Sequence, residues 1–224
     1  PHRPSEYTDF SMHSLHAQMT RRFKNLDKQQ NTRLAKQFSW VQKANEDCTP
    51  SECCWVGVTV FPHWLHEDGS YWRISEATDA QKRDWDRRIS EFLRGLAALE
   101  TPIHFRYRGR PRGVTQRLQF AAFTGSEPVD NYLQRRYDDA YNPQVVLPEL
   151  GINLRFGDDW TLYLVYHSQD RLLPVCELAA RLALYLLPIF SVRELNQYGA
   201  LAEALKEKGL DAVLYCPVTY EPGK

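Results

Sequence analysis

The sequence predicts an α+β fold: a single mixed, mostly antiparallel sheet with helices packed on one face and peripheral helices at the N-terminus. Three observations carry this. Extended apolar runs recur at 54–61, 103–107, 114–122, 152–156 and 161–166, several with the period-2 alternation of half-buried strands. Apolar stripes at helical spacing fall between them rather than in a block of their own. Nothing between the halves has the composition of a linker, so a helix layer over one sheet is the economical arrangement.

Taken in order, Phe10, Leu15, Met19, Phe23 and Leu26 recur at roughly helical spacing, which predicts a peripheral helix within 1–30. Leu34, Phe38 and Val41 predict a second over 31–45. Both would carry a cationic outer face. Cys54–Phe61, β-branched and apolar, reads as a central strand, and a short strand is expected at Tyr71–Ile74. Thr78 and Gln81 form a capping box, and Trp85, Ile89, Phe92, Leu93 and Leu96 mark the buried stripe of the helix that follows. Residues 103–123 then read as a hairpin punctuated by Gly109, Pro111 and Gly113. A short helix is expected within 127–142.

In the second half, Gly157-Asp158-Asp159 is a hairpin signal between strands at 152–156 and 161–166. Val175–Leu187, apolar nearly all round and with Glu177 and Arg181 four apart, predicts the most buried helix. Ser191 and Glu194 open a last helix that Gly209 ends, and Ala212–Tyr220 reads as a closing strand. Residues 1–46 are thus an N-terminal helical segment and 47–224 the α+β domain, divisible into pseudo-halves 47–142 and 143–224. The layering expected is that of ferredoxin-like folds.

Composition sets bounds on function. The chain has 224 residues, 43% hydrophobic and 25% charged, which is ordinary for a globular protein. Net charge is zero, but residues 1–120 hold 19 Lys/Arg against 14 Asp/Glu and residues 121–224 hold 9 against 14. That split argues against wholesale coating of nucleic acid and allows a local basic patch. Five scattered cysteines favour a reducing compartment, and the longest apolar run, Leu182–Ile189, is far short of a membrane span. A cytoplasmic location is the expectation. The chain starts at Pro1 without a signal-peptide pattern, and the native N-terminus is not defined by it.

One stretch points to a partner. Arg106, Arg108, Arg110, Arg112 and Arg117 lie in a run without a single acid, flanked by His104, Phe105 and Tyr107. Guanidinium groups suit carboxylate and phosphate alike, and adjacent aromatics would stack bases. The plainer alternative is a hairpin tip kept soluble by charge. Trp64 is a further expected contact, since tryptophan is enriched at interfaces.

Signals for chemistry are weaker. Cys48, Cys53, Cys54, His63 and His66 are zinc-type ligands at a spacing that fits no standard finger, and buried thiols with surface histidines explain them as well. Tyr137 and Tyr141 share a helical face. Their element order is similar to that of rolling-circle replication and relaxase enzymes, but the His-x-His pair those enzymes use to hold metal is absent. His167, Ser168 and Asp170 are triad residues too close in sequence to act as one, and Asp138-Asp139 and Asp158-Asp159 sit where turns and helix ends place acids. No cofactor is implied and no catalytic residue stands out.

The function expected is therefore a non-enzymatic binding protein, of the bacterial inhibitor or immunity type, docking an acidic protein surface through arginine and aromatic side chains. The alternatives are nucleic-acid binding through 103–123, or a divergent enzyme of the replication or relaxase type. Membrane association is not expected, and oligomeric state is open.

Overall fold

Antiparallel pairing organises the described residues of the chain. The structure, a computed structural model, describes residues 22–41, 53–67, 69–109, 117–139, 141–168, 171–189 and 199–210. Within these, eight strands form one sheet: β1 (Phe23–Asn25), β2 (Cys54–Thr59), β3 (Ile103–Arg108), β4 (Arg117–Phe123), β5 (Val145–Leu147), β6 (Ile152–Phe156), β7 (Thr161–Tyr166) and β8 (Tyr185–Ile189). Their order is β1-β4-β3-β5-β6-β7-β2-β8. Every pairing is antiparallel, so the sheet is not mixed within the described residues.

The helical layer comprises α3 (Asp79–Leu99), α4 (Ser126–Asp138), α5 (Leu173–Arg181) and α6 (Gly199–Glu207). Its main core joins Ile89, Phe92, Leu93 and Leu96 of α3 to Val56, Val58, Leu154, Leu162 and Leu164 of the sheet. At about 1.5–3 kcal/mol for each fully buried side chain, this stripe is what holds α3 down. The expected capping box is present, with Thr78 Oγ1 accepting from the Gln81 amide at 3.3 Å and Gln81 Oε1 accepting from the Thr78 amide at 2.8 Å.

The first helix, α1 (Lys28–Gln37), lies on the opposite face of the sheet, where Leu34 and Phe38 pack on Phe105, Leu118 and Phe120. It also closes an edge. β1 covers only Ala121–Phe123 of β4, and beyond it the Phe120 amide donates to Asn31 Oδ1 at 2.8 Å.

Four elements differ from the sequence-based expectation. Phe23 belongs to strand β1 rather than to a helical stripe, and its ring meets Phe123 and His104. Residues Trp72–Ser75 form a single helical turn, α2, not a strand, and leave Tyr71 and Trp72 more than half exposed. Val145–Leu147, for which the sequence predicts no element, is the strand that joins the β3–β4 hairpin to β6. The helix expected over 175–187 stops at Arg181 and becomes strand β8. Ala183 adopts φ 52°, and the Leu184 and Ala183 amides donate to the Ala179 and Ala180 carbonyls. That is a Schellman cap with alanine where glycine is usual. The equivalent cap on α6 uses Gly209, as expected. Glu177, in turn, pairs with Lys208 rather than with Arg181. The stretches 1–21, 191–198 and 211–224, with the expectations that fall on them, lie outside the described residues.

Candidate functional site

Strand alternation divides the β3–β4 hairpin into two unlike faces. Ile103, Phe105, Tyr107, Leu118 and Phe120 point to α1 and are covered by it to varying degrees. His104, Arg106, Arg108, Arg117 and Gln119 point the other way, toward the side of the helical layer. The register sets Arg106 opposite Gln119 and Arg108 opposite Arg117. All three arginines are exposed. Arg110 and Arg112 lie outside the described residues. Tyr107 is on the α1 face, half-buried and edge-on to Phe105, so it does not share the arginine surface.

Gln119 organises the arginines. Its Oε1 accepts from Arg106 Nε at 3.1 Å, from Arg106 Nη2 at 2.9 Å and from Arg108 Nε at 2.7 Å. Two guanidinium groups that would otherwise repel thus lean on one neutral oxygen. Behind them His104 is half-buried between Phe23, 4.3 Å away between ring centres, and Tyr132 at 5.7 Å. Burial, reinforced by the charges of Arg106 and Arg136, pushes its pKa down to about 4, so the imidazole is neutral at physiological pH.

Arg136 on α4 adds a further cation near His104, on which its charge acts together with that of Arg106. Its guanidinium carbon lies 5.3 Å from the ring centre of Tyr132 and 5.6 Å from that of Tyr141, which is 63% exposed. Among the described residues none of Arg106, Arg108, Arg117 and Arg136 has a carboxylate partner. In the helical layer Arg87, Arg88, Arg94 and Arg135 each pair with an aspartate or glutamate, while Arg83 and Arg181 have no such partner among the described residues.

The other expected site residues are scattered. Trp64 lies over Gly57, where a Cβ would come within 2.4 Å of its ring, and stacks on Tyr163 at 6.4 Å. It sits on the opposite face from the arginines, four strands along the sheet, or roughly 19 Å at about 4.8 Å per strand. Trp64 is therefore half-buried packing at a separate place.

Cys53 is disulfide-bonded and so is not available as a thiolate ligand. Cys54 and Cys176 are free thiols, and Cys48 and Cys216 lie outside the described residues. Cys53, just before β2, packs with Val165 while Cys54, the first residue of β2, packs against the main core, so the two face opposite sides of the sheet. His63 is half-buried and His66 exposed beside Trp64. Among the described residues no three His, Cys, Asp or Glu side chains gather as metal ligands.

Tyr137 donates its hydroxyl to Asp86 Oδ1 at 3.3 Å and packs on Phe156. Burial and the Asp86 charge hold its pKa well above the ordinary phenol value, the reverse of what an attacking phenolate needs. Tyr141 is exposed beside Arg136 and shares no partner with it. Asp159 belongs to the β6–β7 turn, where it and Trp160 take φ 53° and 54°, as the central pair of a type I′ turn requires. Asp139 pairs with Arg135 at the end of α4. His167 and Ser168 are exposed, and Asp170 lies outside the described residues.

Two members of the arginine site escape the sequence reading. Gln119 is two residues from Arg117 on a strand, a spacing that puts both on one face and is the only available signal. Nothing in the sequence brings Arg136, nineteen positions beyond Arg117, near His104. No known family model matches the chain, and no curated protein or solved structure matches it either.

Proposed function

We propose that the protein is a non-enzymatic binding protein that docks an acidic protein surface through Arg106, Arg108 and Arg117, with Arg136 near His104. One observation carries the proposal: Arg106, Arg108, Arg117 and Arg136 have no carboxylate partner among the described residues, and Arg106 and Arg108 converge on the neutral Gln119 oxygen instead. A cluster held this way retains its capacity for charge-assisted bonds to an incoming anion. The disposition of the aromatics favours carboxylates over nucleic acid. Phe105 and Tyr107, the rings that would stack bases, belong to the α1 face, and among the described residues only Tyr141 stands exposed beside the cations. Docking of this kind is how inhibitor- and immunity-type proteins act.

The test is fluorescence anisotropy with a fluorescein-labelled hexaglutamate peptide. Saturable binding that is lost in the triple variant Arg106→Ala/Arg108→Ala/Arg117→Ala supports the assignment. Equal binding by the variant, or none by the wild type, removes it. A cytoplasmic location, expected from the cysteine pattern, belongs with this proposal but is opposed by the Cys53 disulfide, a bond that persists in oxidising compartments. No helix among the described residues is long and apolar enough to cross a membrane.

A further inference from the structure

Gln119 Oε1 is over-subscribed. An amide oxygen has two lone pairs, yet three N–H groups from Arg106 and Arg108 converge on it within 3.1 Å. A carboxylate offers two oxygens and about four lone-pair sites, enough for the side-on fork of Arg106 and the Nε–H of Arg108 together. We infer that Gln119 is a placeholder: its Oε1 marks where a carboxylate oxygen of the acidic partner binds, and an incoming Asp or Glu side chain takes over the Arg106 and Arg108 donors. This rests on the docking function proposed above and adds its specificity-determining residue.

The amide does two things in the unbound protein. It holds two like-charged groups in convergent geometry, so that less side-chain freedom is lost on docking. Being neutral, it gives way to a charged acceptor, whose bonds to the same donors are roughly twice as strong. Neighbouring Arg117, cross-strand to Arg108, does not hydrogen-bond the amide and supplies charge to the same approach path.

Two variants separate this inference from the docking function itself. Gln119→Glu installs a permanent internal carboxylate, and the hexaglutamate peptide should then bind about tenfold more weakly or worse, with no fall in Tm. Gln119→Met keeps the length without charge, and its affinity should stay within about threefold of wild type. Arg106→Ala and Arg108→Ala are measured alongside. If they abolish binding while Gln119→Glu binds like wild type, the placeholder role is wrong and the docking function stands. If they too leave binding intact, both fall. A second measurement needs no variant at position 119. In 15N–1H spectra of the wild type, saturating peptide should move the Nε–H signals of Arg106 and Arg108 and the Gln119 side-chain amide along one binding curve; unmoved arginine signals would overturn the inference even if the Gln119 variants failed to fold.

Discussion

Arg108 and Arg117 face each other as cross-strand partners of the β3–β4 hairpin, with no carboxylate partner among the described residues. Like charges in that relation destabilise a strand pair, and β-branched residues favour it. Arg117→Thr should therefore stabilise the protein by about 0.2–1 kcal/mol while weakening its hold on an acidic peptide. Urea denaturation and anisotropy on the same samples check both halves. A variant that gains stability and keeps full affinity would mean that Arg117 serves no docking purpose.

His104 gives the fold a pH dependence of defined sign. The imidazole titrates near 6.5 when unfolded and at about 4 when folded, so the unfolded chain binds the extra proton first. Above the upper value there is no penalty. As the pH falls from 6.5 toward 4 stability is lost, and below that the loss is constant. Partial exposure screens the effect, leaving roughly 1–2 kcal/mol between about pH 7 and about pH 4.5 out of an unscreened total of about 3 kcal/mol. His104→Phe, which keeps an aromatic ring among Phe23, Phe123 and Tyr132, should flatten the stability profile by that amount. An unchanged profile would place the titrating group elsewhere. Because His104 stays neutral, affinity for the acidic peptide should barely change between about pH 6 and about pH 8.

The Cys53 disulfide predicts a thiol count. Five cysteines less the two in the bond leave three, so titration of unreduced, denatured protein should find three free thiols, rising to five after reduction. Reduction should also lower stability by about 2–4 kcal/mol. Five thiols in protein purified without reductant would place the chain in a reducing compartment after all.

Much of the fold is legible where local chemistry and tertiary context agree. Thr78 and Gln81 announce α3, and its stripe at 89, 92, 93 and 96 is the buried stripe observed. Strands β6 and β7 fall where the Gly157-Asp158-Asp159 signal places them. The expectation over 175–187 fails because the turn residue is Ala183, whose left-handed conformation no propensity announces, and because an apolar run buried on both faces of a sheet has no period to distinguish it from a helix. Tyr71–Ile74, expected as a short strand, is closed locally into a helical turn by the Glu76 amide donating to the Trp72 carbonyl.

The site is half legible for similar reasons. An arginine run at period two reveals a cationic strand face directly. Which aromatics accompany it depends on which side α1 covers, and that separates Tyr107 from Arg106 and Arg108. Trp64 stands out in composition, but its place over Gly57 is set by a close approach that only the folded backbone reveals.

The central claim is that this face recognises carboxylates rather than phosphates, and one comparison tests it most directly. Anisotropy with hexaglutamate and with single- and double-stranded oligonucleotides of matched charge is run at about 50 and about 200 mM salt, the interval over which phosphate-driven affinity collapses. The peptide should bind more tightly than either oligonucleotide and keep that order at the higher salt. Tighter oligonucleotide binding that collapses at about 200 mM would contradict the claim and assign the arginine hairpin to nucleic acid.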